Sequence, residues 1–434
     1  MLVKELEKRI KSKEAKIAVI GLGYVGLPLA VSFARAGFKV YGLDKSEARV
    51  LRIKTGKNYN EDVSLPEITR LIHKKVFELS TNPSLLVKAD VIIICVPTPL
   101  KTKYTPDISY IVGAVKDIRK YMRKGAFVIL ESTTFPGTTE ELIKPLLERG
   151  GLKASRDFYL AFSPERIDPG NKHFSVTQIP KIIGGLDPAA GKLGKALYGK
   201  IIKKVHLVSS PRAAEMTKLL ENSFRLVNIS WVNELAMMCH KLHIDIWEII
   251  EAAKTKPFGF MPFYPSLGVG GHCIPDDPLY LYWKAKHHGI SSKFIKLSAD
   301  TNDRVPDYVL SRLKTLLHVQ RTRKARARIL VAGVTYKKDV KDLRRSPALK
   351  FITLLQKEGY DVNYFDPLVS FLKIGHLNMK SVSLNAKEIS KADCVVVAVA
   401  HTKVNYDLIL DKAQSIFDLC NVYQGQSKAT IHRL

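Results

Sequence analysis

The sequence predicts an α/β protein in which two doubly wound, parallel-sheet domains are joined by a long central helix. Three observations carry this. From Lys16 to about residue 208, strand-length apolar runs alternate with helix-length amphipathic stretches. From Pro211 the chain then runs for about thirty residues without an internal Gly or Pro, and after residue 325 the strand–helix alternation returns. Alternation of this kind builds parallel sheets with helices on both faces.

In order, "KIAVI" reads as a first strand, "GLGYVGLPLAVSFARAG" as a glycine turn entering a helix, and "KVYGLD" as the next strand. "ADVIIICVP", "AFVILEST" and "DFYLAFSPE" supply further strands, each ending in polar residues. The stretch "PRAAEMTKLLENSFRLVNISWVNELAMMCHKLH" predicts one helix roughly 45 Å long at 1.5 Å per residue. That is long enough to bridge two domains and pack against a second copy of the chain. Beyond it "RILVAGV", "DVNYFDP", "DCVVVAVA" and "SIFDLC" read as strands of a second unit lacking a glycine fingerprint, with "VQRTRKARAR" as the exposed connector. The expected boundaries are 1–208, 209–305 and 306–434.

Bulk properties bound the function. The 434 residues suit two or three domains, and 46% hydrophobic with 25% charged residues is ordinary globular composition. No apolar run reaches the ~18 residues of a membrane span, and "MLVKELEKRIKSKEAK" lacks a secretory core, so a cytoplasmic location is expected. Five cysteines (Cys95, Cys239, Cys273, Cys394, Cys420) lie dispersed with no metal-type spacing, as free thiols do. Cys95 and Cys394 sit inside apolar runs and read as small buried hydrophobes. The net charge of +28 favours anions: a solvated basic surface, focusing of a phosphorylated substrate, or nucleic acid. Nucleic acid ranks last, because the basic residues are dispersed and "RTRKARAR" has no interleaved aromatics.

Gly21, Gly23 and Gly26 form GxGxxG between a strand and a helix, with Tyr24 and Val25 inside the motif. The first glycine allows the tight turn, the second lets backbone amides approach a pyrophosphate, and the third permits helix–strand packing, as in a Rossmann-type domain. Asp44 ends the following strand, spaced to bind an adenosine ribose and to repel a 2′-phosphate. The expected cofactor is therefore NAD, although Lys45 beside Asp44 blunts the discrimination. Thr98, Ser132 and Thr133 follow later strands, where they can contact cofactor or water, or simply cap turns.

The second chemical feature is "GVGGHCIPDDP" (268–278). Cys273, after Gly270 and Gly271, is a thiol a substrate can approach. Beside a nicotinamide such a thiol can trap an aldehyde as a thiohemiacetal, which a second oxidation converts to a thioester that water hydrolyses. This chemistry needs oxyanion donors, for which Lys218 and Asn222, one helical turn apart, have the right groups; with Glu221 and Glu234 nearby, a surface charge pair is by itself the plainer explanation. It also needs a base, for which Asp277 and Glu165 are candidates. Spacing alone does not join Lys218, Asn222 and Glu165.

From Gly21 to at least Pro367 the chain resembles the UDP-glucose/GDP-mannose dehydrogenase family. The shared motifs are "GLGYVGLPLA", "CVPTPL", "EST" with "PGTT", "FSPERIDPGN", "AAEMTKLLENSFRLVNI", "NELA", "GVGGHCIPDDP" and "GVTYKKDVKDLRRSP". The resemblance implies NAD-dependent, four-electron oxidation of C6 of a nucleotide sugar, in a homodimer formed through the central helix. It makes Cys273 the thioester nucleophile and Lys218 and Asn222 the oxyanion donors. It makes Asp277, with Thr133 and a water, the aid to proton removal, and Glu165 the activator of the hydrolytic water. Glu165, Arg166, Lys218, Asn222, Tyr264, Gly270 and Lys337 are then expected around the UDP-sugar, and Arg344 near the cofactor. Two positions depart from the pattern: Arg345 stands where many members have Glu, and Asp276 where glucose-specific members have Lys. The arginine that members lend across the dimer has no clear match, Lys254 or Lys256 being the candidates. His272, "IP" and "FSPERIDPGN" resemble members acting on UDP-N-acetylhexosamines, so UDP-GlcNAc is expected first, UDP-ManNAc next and UDP-glucose third. A two-electron dehydrogenase and a non-catalytic nucleotide-binding or nucleic-acid-binding protein are the competing classes.

Overall fold

The computed structural model describes residues 2–56, 63–101, 104–166, 178–319, 326–424 and 430–434. Within "FSPERIDPGN" residues 167–171, and within the expected connector residues 320–325, lie outside the described residues. The chain divides into two compact units, Met1–Glu221 with Trp283–Ile290, and Asn222–Tyr282 with Ser291–Leu434.

The first unit is built on an eight-stranded sheet. Its strands are β1 (Ile17–Ile20), β2 (Val40–Leu43), β3 (Phe77–Ser80), β4 (Val91–Ile94), β5 (Phe127–Leu130), β6 (Tyr159–Phe162), β7 (Lys181–Gly185) and β8 (Val205–Val208). They lie in the order β3-β2-β1-β4-β5-β6-β7-β8, all pairs parallel except β6 with β7. The strand order reverses direction between β1 and β4, the point at which open parallel sheets bind ligands beyond their carboxyl ends. Register makes this edge level: Ile20 pairs with both Leu43 and Ile94, and Ile94 with Leu130. Gly21, Asp44, Cys95 and Glu131 are therefore each the first residue past a strand, side by side. Strands β4 and β5 are buried throughout, which is why they read as unbroken apolar runs.

The N-terminal charged segment, read above only as lacking a secretory core, forms the helix Leu2–Lys11. Leu6 and Ile10, one turn apart, are its buried stripe within the core of this unit.

In the second unit β9 (Arg328–Ala332), β10 (Asp361–Phe365), β13 (Cys394–Val397), β14 (Ile416–Asp418) and β15 (Ile431–Arg433) form a parallel sheet in the order β10-β9-β13-β14-β15. The antiparallel hairpin β11 (Phe371–Ile374) with β12 (Leu377–Lys380) and the strand β15 were not expected. All three are only three or four residues long and mostly not buried, so they lack the extended apolar run that marks a buried strand. The expected long helix spans Pro211–Lys241, 31 residues. It leaves Met216, Leu220, Phe224, Trp231 and Met238 exposed. Among the described residues no helix is long and apolar enough to cross a membrane.

Candidate active site

At the level edge of the first sheet the three glycines separate by role. Gly21 has φ +94°, and a Cβ there would stand 2.6 Å from the Cys95 carbonyl oxygen. A Cβ on Gly26 would stand 1.9 Å from the Gly21 carbonyl oxygen. A Cβ on Gly23 would meet nothing within 4 Å. The first and third glycines thus let backbone and helix close on each other, while the second faces open space that a pyrophosphate can enter. The site fits a dinucleotide on this ground. Gly26 opens the helix Gly26–Arg35 with Val25 as its cap, and Tyr24 is exposed.

Asp44 is buried and takes more partners than the sequence suggested. Its Oδ2 accepts the Leu22 N–H at 2.9 Å and the Arg49 guanidinium at 2.8 Å, and its Oδ1 accepts the Ser46 N–H at 2.9 Å. The carboxylate therefore fixes the glycine turn itself. Arg49 was missed because it lies a helical turn beyond Asp44, not in the turn. The Thr98 hydroxyl donates to the Thr133 carbonyl at 2.6 Å and the Ser132 hydroxyl to the Val96 carbonyl at 2.7 Å, knitting the loops after β4 and β5 together. Both hydroxyls thus tie these turns together.

Beneath this edge lies a buried polar cluster that sequence reading did not find. Lys181 Nζ is 3.0 Å from Glu131 Oε2 and 3.3 Å from Glu165 Oε2. The Tyr198 hydroxyl donates to the other oxygen of Glu131. Burial pushes the Glu131 carboxyl above its ordinary value, with Lys181 opposing. Burial likewise opposes the charge on Lys181, but Glu131 and Glu165 outweigh it and hold the ammonium above its usual range. Burial beside Glu131 also drives the Cys95 thiol well up, as suits an inert core cysteine. Glu165 follows β6, and its Oε1 accepts the Arg166 N–H at 2.7 Å. The Arg166 side chain is held by Glu221 at 2.6 Å and by the Pro180 carbonyl at 2.8 Å.

Glu221 thus pairs with Arg166. Lys218 and Asn222 are buried, at 7% and 5% exposure, which removes the surface-charge-pair explanation for them. One turn earlier on the same helix Glu215 is fully buried. It accepts the N–H groups of Gly137 (2.6 Å) and Thr139 (2.9 Å) and the Thr139 hydroxyl (2.7 Å), anchoring the "PGTT" loop. Burial pushes its carboxyl up to about 7.

In the second unit Cys273 is exposed, as expected, but it is not in a loop: it is the first residue of the helix Cys273–His287. It stands in the helix's first turn, where backbone N–H groups lack helical partners and can meet an oxyanion. One turn on, Asp277 is fully buried and its Oδ2 accepts the Asn222 amide at 2.5 Å. The structure therefore brings together Cys273, Asp277 and Asn222. The glycines before the thiol serve packing as well as access. A Cβ on Gly270 would stand 2.7 Å from the Arg345 carbonyl oxygen, and one on Gly271, at φ +82°, would stand 2.9 Å from the Tyr336 ring. The Gly271 N–H also donates to the Arg344 carbonyl at 2.9 Å. Asp276 pairs with Arg345, and His272 Nε2 is 3.7 Å from Asp276.

Lys337 lies in the loop after β9, which a second buried network shapes. His401 Nδ1 accepts the Asp339 N–H at 3.0 Å, and its Nε2 faces Asp366 at 3.1 Å and the Thr335 hydroxyl at 3.2 Å. Thr335 in turn donates to the Lys337 carbonyl at 2.9 Å. His401 follows the third predicted strand of this unit and gave no sequence signal, because its partners are 35 to 66 residues away. The Arg344 guanidinium is engaged by Asp342 at 2.6 Å. Tyr264 donates to Glu251 at 2.8 Å and stacks on Trp247, outside the interactions around Cys273. Lys254 pairs with Glu251 and Lys256 lies over the Phe258 ring.

Comparison with known proteins accounts for these features together. Residues 15–202 match the NAD binding domain of the UDP-glucose/GDP-mannose dehydrogenase family, 212–304 its central domain and 330–425 its UDP binding domain. The chain is 38% identical over 395 residues to the UDP-N-acetyl-D-glucosamine 6-dehydrogenase of Pseudomonas aeruginosa, covering 90% of this chain and 92% of that one. It is 35% identical over 402 residues to the UDP-N-acetyl-D-mannosamine dehydrogenase of Pyrococcus horikoshii, covering 91% and 92%. Among solved structures, the UDP-ManNAc dehydrogenase of Pyrococcus horikoshii superposes with a TM-score of 0.87 at 33% identity, covering 96% of this chain and 98% of that one. The UDP-N-acetyl-mannosamine dehydrogenase of Staphylococcus aureus superposes with 0.81 at 31% identity, covering 96% and 97%. With all three domains present in order, the chain belongs to the UDP-glucose/GDP-mannose dehydrogenase family and is an NAD-dependent nucleotide-sugar dehydrogenase.

Proposed function

We propose that this enzyme oxidises C6 of a UDP-N-acetylhexosamine, UDP-GlcNAc first, to the uronate by four electrons. The observation that carries the reading is the exposed Cys273 at the head of a helix whose next turn holds Asp277 in a buried bond to Asn222. The primary alcohol, two NAD⁺ and one water become the carboxylate, two NADH and three protons.

Gly21, Gly23, Tyr24, Val25, Gly26, Asp44, Thr98, Thr133 and Arg344 would hold NAD. NAD supplies the hydride acceptor for both oxidations. Asp277, with a water and Thr133, takes the alcohol proton. Cys273 then adds through sulfur to the C6 aldehyde, and the resulting oxyanion is met by the Lys218 ammonium and the Asn222 amide, each such donor being worth about 10²–10³ in rate. After the second oxidation the C6–sulfur bond is a thioester. Glu165 removes a proton from water, whose oxygen attacks the thioester carbon as the carbon–sulfur bond breaks and Cys273 is restored. Arg166, Tyr264, Gly270 and Lys337 complete the UDP-sugar contacts. The apolar side chains left exposed on Pro211–Lys241 support a homodimer formed through that helix, with the central segment 209–305 as the dimerising region between domains 1–208 and 306–434.

Relatives named for the GlcNAc and ManNAc sugars are similar to this chain at 38% and 35% identity, so the sugar is decided by turnover. NADH production is measured over UDP-GlcNAc, UDP-ManNAc, UDP-GalNAc and UDP-glucose, with the product identified by mass. Two NADH per sugar and a uronate are expected, fastest with UDP-GlcNAc. One NADH per sugar with a released aldehyde or ketone would instead make the enzyme a two-electron dehydrogenase.

A further inference from the structure

The buried cluster under the first sheet contains a cation that no step above uses. Lys181 opens β7, is 4% exposed, and bridges Glu131 at the end of β5 to Glu165 beyond the end of β6. A buried lysine is costly unless paired and hydrogen-bonded, and this one is shared by two carboxylates of unequal character. Glu131 has no exposed side-chain surface and is further tied by the Tyr198 hydroxyl, so both its oxygens are occupied within the core. Glu165 keeps 15% of its side chain accessible and reaches the same ammonium with one oxygen only. Of the two, Glu165 alone is placed to exchange a proton with anything outside the core.

We infer that Lys181 is a positioning residue for Glu165: it holds that carboxyl ionised and aimed by one oxygen, ready to take a proton from water. This rests on the reading of Glu165 as the base of the hydrolytic step. Among the described residues, the groups that face Glu165 include Lys181 and Glu131, with Tyr198 and Cys95 behind them, and Arg166, whose side chain pairs with Glu221 of the long helix. Lys181 is a cation in direct contact with the Glu165 carboxylate. Without it, burial and the neighbouring Glu131 both favour the protonated acid, which cannot act as a base.

The test reads Glu165 directly. In protein labelled with [5-¹³C]glutamate, the Glu165 carboxyl signal is assigned by its loss in Glu165→Gln and titrated without substrate or cofactor. Lys181→Met is expected to raise its midpoint by at least about one pH unit, a tenfold change in proton affinity. Lys181→Arg is expected to stay near wild type. Glu131→Gln removes a like charge and is expected not to raise it. Loosening of the core alone would move both Lys181→Met and Glu131→Gln the same way. Should Lys181→Met fold poorly, Lys181→Met/Glu131→Gln removes the buried pair together and is expected to show the upward move as well. A midpoint unmoved in the folded variant lacking Lys181, or raised equally by Glu131→Gln alone, overturns the inference. The acid limb of kcat is expected to follow the same order. Wild-type turnover in Glu165→Gln would overturn the role of Glu165 while leaving the carbon signal to decide what Lys181 does.

Discussion

The Arg345 guanidinium forms an ion pair with Asp276, joining the two positions at which this chain departs from its family's pattern. Asp276 lies in the first turn of the helix that begins at Cys273 and is 2% exposed; Arg345, half-exposed, has a left-handed backbone at φ +48°. Burial pushes the Asp276 carboxyl up to about 6, with Arg345 opposing. The pair fastens the cysteine-bearing helix to the loop around residue 345, and each unusual residue explains the other.

Arg345→Ala strands this buried carboxylate and is expected to cost about 1–3 kcal/mol, below the roughly 3–5 kcal/mol of a fully buried pair because the arginine is half-exposed. Asp276→Val on that background is expected to recover most of it. Denaturation midpoints of the four proteins in the cycle measure the coupling, and purely additive effects would show that the pair contributes nothing.

Gly23→Ala and Gly26→Ala are expected to part company. The first meets nothing within 4 Å, so it should melt like the wild type while NAD affinity falls at least tenfold by calorimetry. The second drives a methyl against the Gly21 carbonyl and should lower stability by about 2 kcal/mol or more.

Cys273→Ser retains the helix start but not the thiol nucleophile. It is expected to fold normally, as judged by melting, and to stall after partial turnover, with steady-state NADH production down by about 10³-fold or more. A variant that still released two NADH per sugar at wild-type rate would remove Cys273 from the chemistry.

Glu215 carries a pH signature. Its folded value of about 7 lies above its ordinary 4.5, so between these values the folded protein binds more protons than the unfolded chain. Stability at this site is therefore highest below about pH 4.5 and falls as pH rises towards 7, by about 3 kcal/mol in all. Glu215→Gln should flatten that window while costing about 1–3 kcal/mol overall, because one amide oxygen cannot serve donors that now reach both carboxylate oxygens. Melting midpoints from pH 5 to pH 8 separate slope from offset.

Much of the architecture was legible because it is written in local pattern. The buried strands β4 and β5 and the 31-residue helix announce themselves through apolar runs and the absence of breakers. The glycine turn and Asp44 were legible because their chemistry is tied to fixed spacing. What escaped was charge meeting charge across long separations. Lys181 and Glu131 are 50 residues apart, and Asp366 and His401 are 35. No periodicity relates such pairs, and a lone lysine or histidine in sequence reads as solvated surface. Cys273 was legible as an approachable thiol but not as a helix start, since Pro278 inside the helix disguised it.

Asp44 has one more implication, for the ancestry and redesign of cofactor choice. Its carboxylate neutralises Arg49 while fastening the Leu22 amide of the glycine turn. In a chain turning towards a 2′-phosphorylated cofactor, loss of the carboxylate would remove both the repelling charge and the Asp44 partner of Arg49. The same loss takes the Asp44 acceptor from the Leu22 N–H, which a short hydroxyl or amide at position 44 would replace.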